Sequence, residues 1–381
     1  MKILHTSDLH IGKRVNEFSM IEDQRYILDR IERIVEEEKP DVVLIAGDVY
    51  NTATPSAEAV CLLNDFITSL HSLCRYVIIL SGNHDSAERL AFGAEIMRQN
   101  GVYFSQTFSP MPQQITIPDE HGDVHFYLLP FVRPIDVRAA YKEESESANE
   151  QIESYDEAIT KAVEAMHPDY SQRNILVAHQ YINGGERCEG EDVVGGLDEV
   201  DVEIVQHFDY VALGHLHRPQ HVQYPHVRYS GSPLKYSFSE AGNPKSVTII
   251  DLHEKGQTAI RVRELVPLHD WADLRGTYEE LMSESFYSGK GYENQYVRLT
   301  LTDEDEVVDA MSKLRNVYPL AMSLQYDNTR TRHNMETVEA ENVENKSPLE
   351  LVSEFFEKQN GQPMNEAQNE LMTNLINDIF A

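Results

Sequence analysis

Apolar residues near the start of the chain come in two kinds of block. Lys2 to Ser7, Asp41 to Ala46 and Arg75 to Leu80 are short, largely unbroken runs with the length and composition of buried strands. Between the first two lies Ser19 to Glu38, where Met20, Ile27, Leu28, Ile31, Ile34 and Val35 recur at helical spacing until Pro40 stops the helix. A second helix is expected over Pro55 to Leu73, with Thr54-Pro55 as its start. Strand, helix, strand, helix in this order predicts a parallel sheet covered by helices, in which ligands gather beyond the carboxyl ends of the strands.

After a helix expected over Ser86 to Gln99 the pattern loosens. Val102 to Phe104, Gln113 to Ile117 and Val124 to Leu129 read as shorter strands of a second sheet. Val137 to His167 reads as charged helix, and its acidic residues Glu143, Glu144, Glu146, Glu150 and Glu153 as a solvated face. Arg173 to Ala178, Asp209 to Leu213, Val222 to Tyr229, Val247 to Leu252 and Ala259 to Leu265 are strands that would complete a two-sheet sandwich. Beyond Pro267 a helix over Trp271 to Ser285, a strand over Gln295 to Leu301, a helix over Asp303 to Arg315 and a strand over Ala321 to Tyr326 predict a small two-layer α/β module. Asn328 to Lys346 is polar and reads as a linker, ending in the helix start Ser347-Pro348. Leu349, Leu351, Val352, Phe355 and Phe356 then form one helical face, broken by Gly361 and Pro363. Leu371, Met372, Leu375, Ile376 and Ile379 form another. Two short helices on a linker cannot bury such faces alone, so they either fold back or take a partner.

Composition adds bounds. A chain of 381 residues exceeds one ordinary core, so a large domain with one or two smaller ones is expected. A formal charge of −32 argues against a free-standing nucleic-acid binder: either the substrate is no polyanion, or metals and a partner supply the cations. Cys61, Cys74 and Cys188 are scattered, which suits a reducing cytoplasm. No apolar run approaches the roughly 20 residues of a membrane span, and Met1-Lys2-Ile3-Leu4-His5 enters a strand with no room for a signal peptide.

The chemistry lies where the strands end. Asp8 and His10 stand two apart around Leu9, Asp48 follows Gly47, Asn83 and His84 follow Gly82, His179 closes its own run, and His215 and His217 stand two apart around Leu216. Gly82-Asn83 alone is also an ordinary turn signal. As a set, however, Asp8, His10, Asp48, Asn83, His179, His215 and His217 are nitrogen and oxygen donors without sulfur, too many for one tetrahedral ion but suited to two adjacent ions. Asp48, the carboxylate of the central strands, is the natural bridge. Mixed imidazole, carboxylate and amide ligation suits manganese, iron or zinc better than calcium or magnesium.

Asp-x-His, Gly-Asp-x-x, Gly-Asn-His-Asp, a lone His and Gly-His-x-His, in that order, resemble the calcineurin-like metallophosphoesterase superfamily. Met1 to Lys13, Gly47 to Asn51, Gly214 to Pro219 and the stretch from Tyr229 to Glu240 resemble its branch of SbcD-type nuclease subunits. The resemblance implies an α/β metallophosphoesterase fold, a two-sheet β-sandwich flanked by helices, over 1–266. It further implies a DNA-engaging capping domain over 267–327, a linker over 328–346 and, over 347–381, helices that dock on the coiled coil of an SbcC-type ATPase. One divalent ion, Mn2+ first among the candidates, would sit on Asp8, His10, Asp48 and His217, and the other on Asp48, Asn83, His179 and His215. His84 would be the acid that protonates the leaving oxygen. Asn51 departs from the aspartate of related phosphatases and the histidine of archaeal nucleases; it is expected to orient His84 or to cap the following turn. Asp85 receives no ion and is read as fixing its loop. Arg298, Arg315, Arg330 and Arg332 are the candidate DNA contacts of the cap. The implied activity is cleavage of double-strand DNA ends and hairpins, as 3′–5′ exonuclease and single-strand endonuclease, in a heterotetramer built on a homodimer. A phosphatase or cyclic-nucleotide phosphodiesterase on the same metal core is the alternative.

Overall fold

The computed structural model describes residues 1–141, 152–189, 191, 199–329, 331, 349, 352–353, 355–357, 363–365, 368–369, 371–373 and 375. Most of the acidic run read as a solvated face, Arg330, Arg332, nearly all of the linker and much of the C-terminal helical faces lie outside them.

The first sheet holds β1 (Lys2–Thr6), β4 (Val42–Ala46), β5 (Tyr76–Leu80) and β6 (Val102–Phe104) in parallel. A small hairpin, β2 (Arg14–Val15) and β3 (Phe18–Ser19), precedes α1 (Ile21–Glu38), which with α2 (Ala57–Leu73) covers one face. The second sheet takes β7 (Gln113–Asp119), β8 (Gly122–Leu129), β9 (Arg173–His179), β10 (Tyr210–Gly214), β11 (Gln220–Val222) and β12 (Tyr224–Tyr229), with β8, β9, β10 and β12 parallel. The chain then returns to the first sheet with β13 (Lys245–Leu252), antiparallel to β1, and β14 (Thr258–Leu265) beyond it.

Successive side chains of a strand point to opposite faces, and here both faces are covered. Ile3, Leu44, Ile78, Phe126, Val177 and Tyr210 meet between the sheets. Leu4, Val43, Ile45 and Ile79 face Ile27, Ile31, Leu62 and Phe66 of the helices, while Leu129, Leu176, Val211 and Leu213 face Ile159 and Val163 of the helix Tyr155–Ala165. Helix, sheet, sheet, helix is the resulting stack, as the sequence pattern implied.

Several expectations need correction. α2 begins at Ala57, after an N-cap at Ser56 whose hydroxyl accepts from Ala59 N, so Thr54-Pro55 lies before the helix. The helix expected over Ser86 to Gln99 is two short ones, Ala87–Leu90 and Ala94–Arg98, because Gly93 takes a left-handed φ of 78° between them. Val102 to Phe104 joins the first sheet, and Val222 to Tyr229 is the last residue of β11 plus β12. The largest miss is Trp271 to Ser285, which opens with β15 (Trp271–Gly276), paired in parallel with β16 (Tyr296–Leu301) and then β17 (Ala321–Tyr326). Trp271 and Leu274 look helical in spacing because they serve different cores: Trp271 packs with the sandwich and Leu274 with the cap's own cluster. The helix expected over Asp303 to Arg315 shrinks to Ala310–Leu314.

The cap is tied to the sandwich by a buried acid. Asp23 on α1 accepts from Tyr296 Oη at 2.8 Å and from His269 Nδ1 at 3.0 Å. Cys74 and Cys188 are buried and Cys61 exposed, all as free thiols. Among the described residues no helix is long and apolar enough to cross a membrane.

Candidate metal centre

All seven predicted donors and His84 come to one place. β1, β4 and β5 of one sheet and β9 and β10 of the other end side by side, and the donors occupy the turns just beyond them or, for His179, the last strand position. Asp8, His10 and His217 offer ligand atoms within 4.8 Å of one another; so do Asp8, Asp48 and His179, and so do His10, Asp48 and His84. Asp48 Oδ2 lies 3.6 Å from His10 Nε2 and 3.4 Å from His179 Nε2, facing both sets. Asn83 Oδ1 lies 3.0 Å from His179 Nε2 and 3.2 Å from His215 Nδ1. His10 Nε2 and His217 Nε2 point at each other across 3.1 Å.

The backbone is bent to achieve this. Asp8, His10, Asp48 and His215 have φ of 54°, 45°, 48° and 106°, a region that non-glycine residues enter at a cost of order 1–3 kcal/mol each and chiefly at functional sites. Two glycines allow the close approach. A Cβ on Gly214 would collide with Ala46 O of the other sheet, and one on Gly82 with Asp48. Asp85 locks the arrangement by accepting from Gly82 N, Val49 N and Tyr50 N at 2.9, 3.0 and 2.8 Å, which ties the Asn83 turn to the Asp48 turn. Gln24 of α1 holds the first turn, accepting from Gly12 N and donating to His10 O.

Charge follows from burial. Desolvation would raise the Asp48 carboxyl, but the imidazoles of His179, His10 and His84 draw it well below the usual carboxylate range. Burial pushes Asp8 up to about 6, with the Asp48 charge adding to the effect. His179 is buried too, yet the Asp48 carboxylate raises it to about 9, while burial lowers His10 and takes His215 down to about 3. His217 is raised against its burial by Glu240 and Glu191.

Residues 1–219 match the calcineurin-like phosphoesterase family, and residues 265–360 match the Type 5 capsule protein repressor C-terminal domain family, SbcD_C. The chain is 32% identical to the SbcD subunit of the SbcCD nuclease from Staphylococcus epidermidis, over 100% of this chain and 99% of that protein. The chain belongs to the SbcD family of calcineurin-like phosphoesterases. A crystal structure of a dimetal phosphatase from Danio rerio aligns with 70% of this chain and 96% of that one at 10% identity, with a TM-score of 0.40.

In this SbcD-family chain the donor set fits divalent cations on its own chemistry. Asp8 Oδ2 is buried and accepts no hydrogen bond, and a cation is the partner its charge calls for. His179 Nδ1 is 2.9 Å from Ala46 O, so its N–H donates there and Nε2, beside Asp48 and Asn83, is the nitrogen left for an ion once its proton is released. His217 is fixed likewise: Nδ1 faces Glu191 Oε1 at 3.3 Å and Glu240 Oε1 at 3.6 Å, leaving Nε2 for the centre. Lys245, buried with Glu240, bonds that carboxylate, Ser232 Oγ and His217 O.

Asn51 meets His84 as one of the two expected roles has it, but through its main-chain carbonyl, 3.1 Å from Nδ1, so the contact does not depend on the Asn side chain. The helix α2 further on is capped by Ser56. Arg298 and Arg315 are also engaged within the protein, the first by Asp273 at 3.1 Å and the second by Ala321 O. Sequence reasoning missed Glu191, Glu240, Lys245 and Gln24. Glu240 lay inside the stretch that carried the resemblance, whereas Glu191 is one acid among several in a polar loop and had no signal.

Proposed function

We propose that the protein is a two-metal phosphodiesterase acting on DNA, the nuclease subunit of a complex with an SbcC-type ATPase. The observation that carries the reading is the convergence of Asp8, His10, Asp48, Asn83, His179, His215 and His217 at neighbouring strand ends, with Asp48 Oδ2 facing His10 and His179 and Asn83 Oδ1 facing His179 and His215, in a chain similar over its whole length to a nuclease subunit. Asp8, His10, Asp48 and His217 would hold one ion and Asp48, Asn83, His179 and His215 the other, with Mn2+ as the metal. Two such ions, when bound, neutralise phosphate charge and lower the pKa of water.

The chain's own residues do the rest. His84 is 43% exposed at its side chain, and its Nε2 is 4.0 Å from Asp48 Oδ2, between the centre and solvent. Its Nδ1–H donates to Asn51 O, so a proton on Nε2 is the one that can pass to a leaving oxygen. Asp48 anchors the turn by accepting from His84 N at 2.9 Å.

The remaining assignments follow from exposed apolar side chains. Phe355, Leu371 and Leu375 are exposed at 65%, 60% and 43%, which favours a partner over a fold-back for residues 347–381. The coiled coil of the ATPase is the groove these helices would fill. Phe92, in the turn between the two short helices after His84, and Ile96, on the second of them, are exposed and support a homodimer and with it a heterotetramer. The 267–327 module would engage DNA, in the cytoplasm.

The decisive experiment follows linear double-stranded DNA with Mn2+, with and without the ATPase partner and ATP, against a His84→Ala control. Degradation by the wild type alone or in the complex is expected. Hydrolysis of phosphomonoesters with no DNA cleavage under any condition would replace this reading with the phosphatase one. Removing 347–381 should abolish co-purification with the ATPase.

A further inference from the structure

Beside the centre, on the Asn83 side, an open cleft of about 730 Å³ runs between the turns after β5 and β8. Asn83, one of the predicted donors, forms part of its wall, and Phe131 forms another part. The Phe131 ring lies nearly parallel to His215, 22° between planes and 6.1 Å between centroids, and edge-on to His179 at 6.4 Å. Its position is fixed: Phe131 N donates to Ser81 O at 3.3 Å, and Pro130 and Pro134 bracket the segment. The ring is half-buried, so part of it faces the cleft.

The charge of the cleft is unusual for a site that meets a polyanion. Arg133 is the basic residue on its wall, and Asp136 takes that guanidinium at 3.0 Å; Glu88 and Asp85 line the same space. In a chain of net charge −32 this cleft offers a nucleic acid little electrostatic attraction. What it offers is a rigid aromatic face beside the donors. Base–aromatic stacking is sequence-tolerant, because every base has a π face, and it requires a base that is out of the duplex.

We infer that the cleft is a subsite for one unpaired nucleobase next to the scissile phosphate, with Phe131 as its stacking platform. This rests on the nuclease reading above and adds to it the form of DNA that the centre takes: an end or strand with its terminal base unstacked. Phe131 is a substrate-positioning residue in this scheme and moves no proton.

Two measurements on the full-length protein test it. The first uses a single-stranded oligonucleotide carrying 2-aminopurine at its end, bound with Mn2+ in a His84→Ala background so that the metal charge is kept while hydrolysis is slow, with binding itself followed by anisotropy. In that background fluorescence should be quenched with Phe131 in place and with Phe131→Trp, and not with Phe131→Ala. The second compares kcat/KM with Mn2+ for an intact oligonucleotide and one abasic beside the scissile phosphate. The wild type should prefer the intact strand by about 5- to 150-fold, the equivalent of roughly 1–3 kcal/mol of stacking, mostly in KM. In Phe131→Ala that ratio should fall towards one. Equal quenching with and without the Phe131→Ala change, or an unchanged ratio, overturns the subsite. If DNA is bound with quenching but only phosphomonoesters are hydrolysed, the subsite stands and the nuclease reading falls.

Discussion

Asp48 is buried and Asp85 half-buried; the two carboxylates stand beside the same turn, and their surroundings differ in kind. Asp85 accepts three main-chain amides and holds two loops together. Asp48 faces three imidazoles, and its residue has a left-handed φ. Asp8 and Glu240 repeat the contrast: Asp8 keeps a buried oxygen without a donor, whereas Glu240 is bonded by Lys245 and Tyr236 N. The inner pair sits on left-handed backbone and Asp8 lacks a donor, whereas the outer pair is bonded by main-chain amides and Lys245. Buried polar groups are ordinarily paired, so the bare Asp8 oxygen among imidazoles and a second carboxylate is where a cation fits.

Replacing an inner group should therefore remove function, and replacing an outer one should loosen the structure as well. Asp48→Ala is the largest case: hydrolysis is expected to fall below detection, and calorimetry with Mn2+ should lose two-site binding. Retention of both sites in that variant would break the comparison. His84→Ala comes next, with kcat lower by about 10²–10⁴ as expected of a missing acid, and with Mn2+ binding kept, since His84 is no donor in either proposed ion set.

Glu240→Gln probes the frame. A carboxylate behind a metal-ligating histidine typically accounts for about 10- to 100-fold in metal affinity, so Mn2+ should bind more weakly by that order. The same change leaves Lys245 buried opposite a neutral amide, and breaking a buried pair costs about 3–5 kcal/mol, readable in urea unfolding. A loss of affinity with no loss of stability would show that the frame only tunes the centre.

The protons sharpen the contrast further. In the metal-free protein the Asp48 carboxylate raises His179 to about 9, so at pH 7 that ring carries a proton where an ion would take its lone pair. Because the site holds this proton below about 9, Mn2+ must displace it, and apparent affinity should rise about tenfold per pH unit per proton released until His179 titrates. His217, also raised, contributes in the same direction. His10 and His215, lowered by burial, are already neutral. Calorimetry in buffers of different ionisation enthalpy counts the protons; none released at pH 7 would contradict the charge assignment.

The sandwich and the convergence of Asp8, His10, Asp48, Asn83, His179, His215 and His217 were legible in the sequence because parallel strands buried on both faces leave unbroken apolar runs, and each run points at its own carboxyl end. His179 needed no motif beyond standing at the end of Ile175-Leu176-Val177-Ala178. The cap was legible only in part. Trp271 and Leu274 face two different cores from one strand, and that mimics a helical period. Glu191 and Lys245 were invisible for another reason: their partners, His217 and Glu240, are brought to them by tertiary folding, and a lone charged residue in a loop or at a strand start carries no sign of its partner.

Asn51 meets His84 through its main chain and not through its side chain, and it yields the smallest expected effect. The main-chain carbonyl that holds His84 belongs equally to alanine, and Asn51 φ lies outside the left-handed region, so an ordinary residue fits. Asn51→Ala should keep kcat within about twofold, the ±0.5 kcal/mol of a substitution that removes no required contact. Asn51→Pro should behave differently. Asn51 N donates to Ile11 O at 3.2 Å, and proline removes that donor and shifts the carbonyl on which His84 rests. If instead Asn51→Ala costs tenfold or more while Mn2+ binding is intact, the side chain reaches substrate or water directly, and the catalytic role expected for Asn51 returns in another form.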